Sequence, residues 1–122
     1  MKILIVDDSS TMRRIIVKVL GDRAFKDTIE AADGVQAVKA ATADVGLILM
    51  DWNMPELSGI DAVKQIRATG NKTPIVMVTT EAEKRRVIEA IQAGINDYLV
   101  KPFTPEQLKE KIQKFTGAPK AS

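Results

Sequence analysis

Residues 45–51 read Val-Gly-Leu-Ile-Leu-Met-Asp. Four consecutive large apolar side chains, 47–50, lack the alternation of a half-exposed strand and fit one buried on both faces. Asp51 ends the run, and a loop containing Pro55 and Gly59 follows. A strand covered on both faces belongs to a parallel sheet, which needs helical crossovers. Working outward, Ile3-Leu4-Ile5-Val6 closes on Asp7-Asp8, Pro74-Ile75-Val76-Met77-Val78 on Thr79-Thr80, and Tyr98-Leu99-Val100 on Lys101-Pro102. Thr28-Ile29-Glu30 is a weaker fifth strand. Between these runs apolar residues recur at helical spacing: Met12, Ile15, Ile16, Val19 and Leu20, then Val35, Ala37, Val38 and Ala41, then Ile60, Val63 and Ile66. A helix from about 82 to 93 carries Val87, Ile88 and Ile91, and a last one carries Leu108, Ile112 and Phe115. Ser9 to Thr11 offer caps, Asp33-Gly34 a turn, and Gly21 and Gly94 stops. Thr104-Pro105-Glu106-Gln107 is a capping box with proline at the first helical position. The expected fold is α/β, with (βα) repeated five times around a parallel five-stranded sheet and right-handed crossovers.

A chain of 122 residues is one domain's length. At 45% hydrophobic and 28% charged residues it is neither disordered nor fibrous. With no cysteine it has no disulfide framework and no thiol chemistry; with no histidine it lacks the commonest general base and transition-metal ligand. Any metal must sit among oxygens, which selects magnesium, calcium or manganese. Eighteen Lys and Arg against sixteen Asp and Glu leave a net charge of only +2. The densest basic clusters, Arg13-Arg14 and Lys84-Arg85-Arg86, carry no interleaved aromatics and read as solvated helix faces, so no nucleic-acid partner is expected. No stretch resembles a signal peptide or a membrane span, so the expected address is the cytoplasm, with no membrane partner. Residues 1–117 are expected to form the domain, and 118–122 a frayed tail.

Ligands of an open parallel sheet bind beyond the carboxyl ends of its strands, where strand order reverses. Asp7-Asp8, Asp51, Thr79-Thr80 and Lys101 all fall on that edge. Taken singly, each has an ordinary explanation as a turn, cap or surface residue; the joint pattern does not. Three carboxylates a few ångströms apart repel by about 4 kcal/mol per close pair near a surface, which a divalent cation relieves. A lysine and a hydroxyl then bind further phosphoryl oxygens, as in a phosphoryl-transfer site. Without Cys, His or a P-loop, the nucleophile candidate is a carboxylate, and Asp51 stands alone at the end of a central strand.

Four segments in this order, ILIVDDSSTMRR (3–14), ILMDWNMPELSGID (48–61), PIVMVTTEAE (74–83) and GINDYLVKPFTPEQL (94–108), resemble a response-regulator receiver domain. The resemblance covers residues 2–116 and is strongest to single-domain chemotaxis regulators of the CheY type. It implies a flavodoxin-like, doubly wound sheet of strand order 2-1-3-4-5. It implies that Asp51 is the phosphoacceptor and that Asp8 binds magnesium directly, Asp7 largely through water and Asn53 through its backbone carbonyl, with manganese as a substitute. Thr79 and Lys101 then engage the phosphoryl group, Thr79 and Tyr98 form the switch, and Asn53, Thr80 and Glu81 tune its lifetime. The Lys101-Pro102 bond matches a cis position. Ser9 stands where chemotaxis regulators often carry an aromatic, and Thr80 where Ala or Gly is common. Trp52 reads as half-buried packing beside Asp51.

The resemblance further implies a phosphoacceptor signalling protein rather than an enzyme, with a CheA-type sensor histidine kinase as donor and sometimes a phosphatase. Output is then contact with the flagellar motor switch protein. The alternative is a phosphorelay intermediate or kinase-control adaptor serving a histidine phosphotransfer partner. A monomer is expected. A flavin-binding flavodoxin shares such a fold, but Asp7-Asp8 repels a phosphate without metal. An aspartyl-phosphate phosphatase would place its nucleophile in a DxD pattern after the first strand, which is absent here.

Overall fold

The computed structural model describes residues 2–21, 27–52, 54, 56–80 and 86–116. Strands β1 (Lys2–Val6), β2 (Thr28–Ala31), β3 (Val45–Asp51), β4 (Ile75–Thr80) and β5 (Asp97–Lys101) alternate with helices α1 (Ser10–Gly21), α2 (Gly34–Ala40), α3 (Gly59–Ala68), α4 (Val87–Ala93) and α5 (Pro105–Thr116). The strands form one parallel sheet in the order β2-β1-β3-β4-β5. Strand order reverses between β1 and β3, so the crevice beyond their carboxyl ends is the topological switch point.

The two-residue period of the strands divides the core. Leu4, Val6, Ile48, Met50, Ile75 and Met77 pack with Ala37, Ala62, Val63, Ile66 and Ala90, from α2, α3 and α4, on one face. Ile3, Ile5, Leu47, Leu49, Val76 and Leu99 pack with Ile16, Val19, Leu20, Leu108 and Ile112, from α1 and α5, on the other. Each central strand therefore feeds both layers, which is why its sequence is uninterruptedly apolar.

The caps expected at Ser9 and at Thr104–Gln107 are present, and Asp33, expected as part of a turn, caps α2. The Ser9 Oγ accepts from the Met12 N–H at 3.2 Å, and the Asp33 carboxylate accepts from the Gln36 N–H at 2.8 Å. Gln107 N–H donates to Thr104 Oγ1 at 3.1 Å and Thr104 N–H to Gln107 Oε1 at 2.9 Å, a reciprocal capping box. Gly94 ends α4 at φ 118°, a left-handed conformation that glycine adopts without strain. The Lys101–Pro102 bond is cis.

Three expectations change. The apolar residues of α4 do not form a core stripe: Ile88 is 72% and Ile91 56% exposed, and Ala90 is the buried residue of that helix. Ala90 packs into the core layer shared with α2 and α3, and the larger Ile88 and Ile91 lie on the opposite side of the helix. Ile15 and Val35 likewise face solvent on the rims of their helices. Trp52 is fully buried, not half-buried, because the chain after β3 folds back over it. The expected helix start near 82 and the tail at 118–122 lie outside the described residues.

Candidate functional site

The C-terminal ends of β1, β3 and β5 bring Asp7, Asp8, Asp51 and Lys101 together. Asp7 and Asp51 are buried, and Asp8 is exposed at the rim. One carboxylate oxygen from each of the three aspartates lies within 4.8 Å of the other two. Lys101 Nζ donates to Asp51 Oδ1 at 3.0 Å and to Asp7 Oδ2 at 3.2 Å. Three carboxylates against one ammonium leave a formal excess of two negative charges, which the two positive charges of a divalent cation would balance. An all-oxygen donor set suits a hard cation such as magnesium, calcium or manganese.

The loop after β3 fixes Asp51. Its Oδ1 also accepts from the Trp52 N–H at 2.9 Å, and Trp52 N–H lies 3.2 Å from the Val78 carbonyl across the sheet. Gly59 N–H donates to the Trp52 carbonyl at 2.8 Å and closes the loop. A Cβ at Gly59 would stand 2.0 Å from the Asp51 carbonyl oxygen, so only glycine permits this return. Ser58 then caps α3 by accepting from the Asp61 N–H.

Burial pushes the Asp51 carboxyl up to about 6; the Asp7 charge adds to this, while Lys101 and the Trp52 N–H oppose it. Burial pulls the other way on Lys101, but Asp51 and Asp7 outweigh it and hold the ammonium above its ordinary value. The site is an anion cluster restrained by one cation.

Thr79 is buried on β4, one residue beyond Val78, the register partner of Asp51. Its hydroxyl donates to the Thr80 carbonyl at 3.2 Å. By the strand period Thr79 shares the sheet face of Met77, whose neighbour on β5 is Tyr98. Tyr98 is half-buried, packed at the edge of the α3–α4 layer, with Lys111 Nζ 5.9 Å above its ring. Thr80 is exposed at the strand end. Asn53 and Glu81 lie outside the described residues.

Two features go beyond the sequence reading. Arg13 is not a solvated cation: its Nη1 donates to the Asp7 main-chain carbonyl at 2.6 Å, and its Nε pairs with Glu30 Oε1 at 3.0 Å. The signal available was its position in the first turn of α1, from which side chains lean back toward the N-terminus. Arg86 sets its guanidinium 5.2 Å above the Trp52 ring while pairing with Glu89 at 3.5 Å. No spacing rule brings those two residues together.

Residues 3–113 match the response regulator receiver domain model. The chain belongs to the response regulator receiver domain family. It is 50% identical to the chemotaxis protein CheY1 of Helicobacter pylori J99, over 96% of this chain and 98% of that one. It is also 50% identical to the chemotaxis protein CheY of Pseudomonas aeruginosa, over 93% and 94%. Within the family it is therefore a CheY-like chemotaxis response regulator, a signalling receiver rather than a classical enzyme. A receiver domain of a Pseudomonas aeruginosa sensor histidine kinase, solved with magnesium coordinated in its active-site cleft, superposes at TM-score 0.85 with 35% identity, covering 95% of this chain and 97% of that one. The chemotaxis protein CheY4 of Vibrio cholerae superposes at TM-score 0.84 with 38% identity, over 93% and 97%. Among the described residues no helix of this receiver is long and apolar enough to cross a membrane.

Proposed function

We propose that this receiver takes a phosphoryl group onto Asp51 from a sensor histidine kinase of the CheA type, in the presence of magnesium. The observation that carries the reading is the Asp51 carboxylate, held by Lys101 inside the cluster of Asp7 and Asp8. Asp51, Asp8 and Asp7 are the residues that would hold the cation, with Asn53 contributing its carbonyl; manganese would serve in its place. When bound, the cation supplies charge neutralisation on the transferring group.

This chain's own residues do the rest. The two hydrogen bonds found on Asp51 both fall on Oδ1, so Oδ2 is the better-placed nucleophile. It attacks phosphorus in line as the donor's P–N bond breaks. Lys101, already at 3.0 Å from Asp51, is close enough to pair with the incoming phosphoryl oxygens as the carboxylate gives up its charge. Thr79 supplies a hydroxyl from the adjoining strand and, with Tyr98 on the same sheet face, relays occupancy to the α4–β5–α5 surface. Thr80, Glu81 and Asn53 set the lifetime of the acyl phosphate. Output is contact of that surface with the flagellar motor switch protein, in the cytoplasm, by a monomer; a phosphatase completes the cycle.

The test uses a small acyl phosphate with magnesium, with phosphoryl uptake followed by intact mass. Asp51→Asn is expected to take up none, and uptake at the wild-type rate would overturn the assignment. Beryllofluoride, added with magnesium, is expected to strengthen binding to the amino-terminal segment of the motor switch protein. Site occupancy without that binding would move the target to a histidine phosphotransfer protein.

A further inference from the structure

We propose that Arg13 is a positioning residue for the divalent-cation site: it grips the peptide between Asp7 and Asp8 and ties it to β2. This rests on the magnesium-dependent reading above. Both carboxylate oxygens of Asp7 are engaged, Oδ1 by the Ser9 N–H at 2.8 Å and Oδ2 by Lys101 Nζ at 3.2 Å. Asp8, by contrast, is exposed, and its approach to Asp51 depends on the backbone that carries it. The Asp7 carbonyl, the Asp8 N–H and both flanking Cα atoms share one plane. Arg13 Nη1, 2.6 Å from that carbonyl oxygen, fixes the plane from which Asp8 departs.

The grip is anchored at its other end. Arg13 Nε meets Glu30 Oε1 at 3.0 Å, and the Arg13 side chain is only 17% exposed. Glu30 lies on β2 opposite Ile5, two residues before Asp7, and the Asp7 N–H donates to Ala31 beside it at 3.1 Å. A planar guanidinium presents two donors at a fixed angle and so serves both acceptors at once; an ammonium on a flexible stem does not.

Charge and geometry predict opposite signs. As a mere cation beside three carboxylates, Arg13 competes with the metal, and removing it would tighten magnesium binding. As a positioning residue it preorganises the donors, and removing it weakens binding. Residues that orient metal ligands from behind typically contribute about 10–100-fold in affinity. The experiment is titration calorimetry of the full chain with magnesium chloride, alongside thermal unfolding without metal. Arg13→Lys keeps the charge and loses the fork; it is expected to weaken magnesium binding about tenfold with the protein still folded. Glu30→Gln, on the surface, keeps the variant series informative if Arg13→Lys unfolds, and is expected to cost about threefold. Arg13→Lys binding within twofold of wild type, or Arg13→Gln binding tighter than wild type, overturns the positioning role alone. Wild-type protein that takes up no magnesium overturns the functional reading, and this one with it.

Discussion

Replacing Asp51 by asparagine should stabilise the metal-free protein, and should do so only above a definite pH. Burial raises the Asp51 carboxyl from 3.8 to about 6. The folded state therefore holds a proton that the unfolded chain has released between those values. Its relative stability from this group is full below 3.8 and is lost as pH rises through about 6. A gap of about two pH units, at about 1.4 kcal/mol each, puts the cost of the ionised carboxylate at about 3 kcal/mol as an upper bound. Asparagine imitates the neutral acid in shape, and its amide oxygen can accept from the Trp52 N–H. The loss of the charged bond from Lys101 is already contained in that figure, because the raised value is the net of all contacts. Local relaxation lowers the expectation to about 2 kcal/mol at pH 8, or roughly 6 °C in midpoint for a chain of this length. The assay is thermal and urea unfolding of wild type and Asp51→Asn at pH 8, 6 and 4 with chelator present. The gain should shrink between pH 8 and pH 4 and vanish below the ordinary carboxylate value. A gain equal at pH 8 and pH 4, or none at pH 8, would refute the argument that burial strains this carboxylate.

Arg67→Ala should destabilise by about 3 kcal/mol in urea unfolding, because the side chain donates to the carbonyls of Gly94, Asn71 and Thr73 and to Asn96 Oδ1; a loss below about 1 kcal/mol would show those carbonyls satisfied without it. Gly59→Ala should lower phosphoryl uptake as well as stability, since its Cβ would collide with the Asp51 carbonyl; intact-mass uptake at the wild-type rate would contradict the close approach. Thr104→Ala should cost about 1 kcal/mol by opening the capping box at α5, and should leave uptake unchanged. Arg86→Ala should shift Trp52 emission toward that of a wetter indole while costing about 0.5–1 kcal/mol; unaltered emission would remove the guanidinium from the ring.

The fold was legible because its decisive strands are buried on both faces. In Leu47-Ile48-Leu49-Met50 alternate side chains serve opposite layers, so the run can be read without any partner. The polar residues ending β1, β3 and β5 were legible only together: each alone serves as an ordinary turn, cap or surface residue, but all of them fall on one edge of one sheet. Asp7, Asp51 and Lys101 converge as those positions imply. Illegible were contacts that depend on tertiary direction. Ile88 and Ile91 have the spacing of a core stripe, yet periodicity fixes only that residues share a face, not which way the face turns. Arg13 and Arg86 looked like ordinary charged helix positions. Their partners, the Asp7 carbonyl and the Trp52 ring, are chosen by how α1 and α4 sit on the sheet.

That placement also makes α4 an element with two unequal anchors. At its C-terminal end Arg67 donates twice to the Gly94 carbonyl, at 3.0 and 2.9 Å. Asn96 joins the same end to β4 through Ile75, by its own N–H and by its Oδ1, both at 2.9 Å. Among the described residues, its N-terminal end meets the rest of the fold through the Arg86 guanidinium over Trp52; the Arg86–Glu89 ion pair, between side chains 55% and 49% exposed, lies within the helix end itself. A contact of that exposed kind contributes about 1 kcal/mol, against several for the half-buried Arg67 guanidinium with four acceptors. Ala90 adds little apolar area between the two ends. The weaker anchor is the one attached to Trp52, the residue after Asp51, and Ile88 lies two residues along from Arg86. Among the described residues, Ile88 therefore sits at the end of α4 with the fewer and more exposed contacts, while Arg67 and Asn96 hold the end at Gly94.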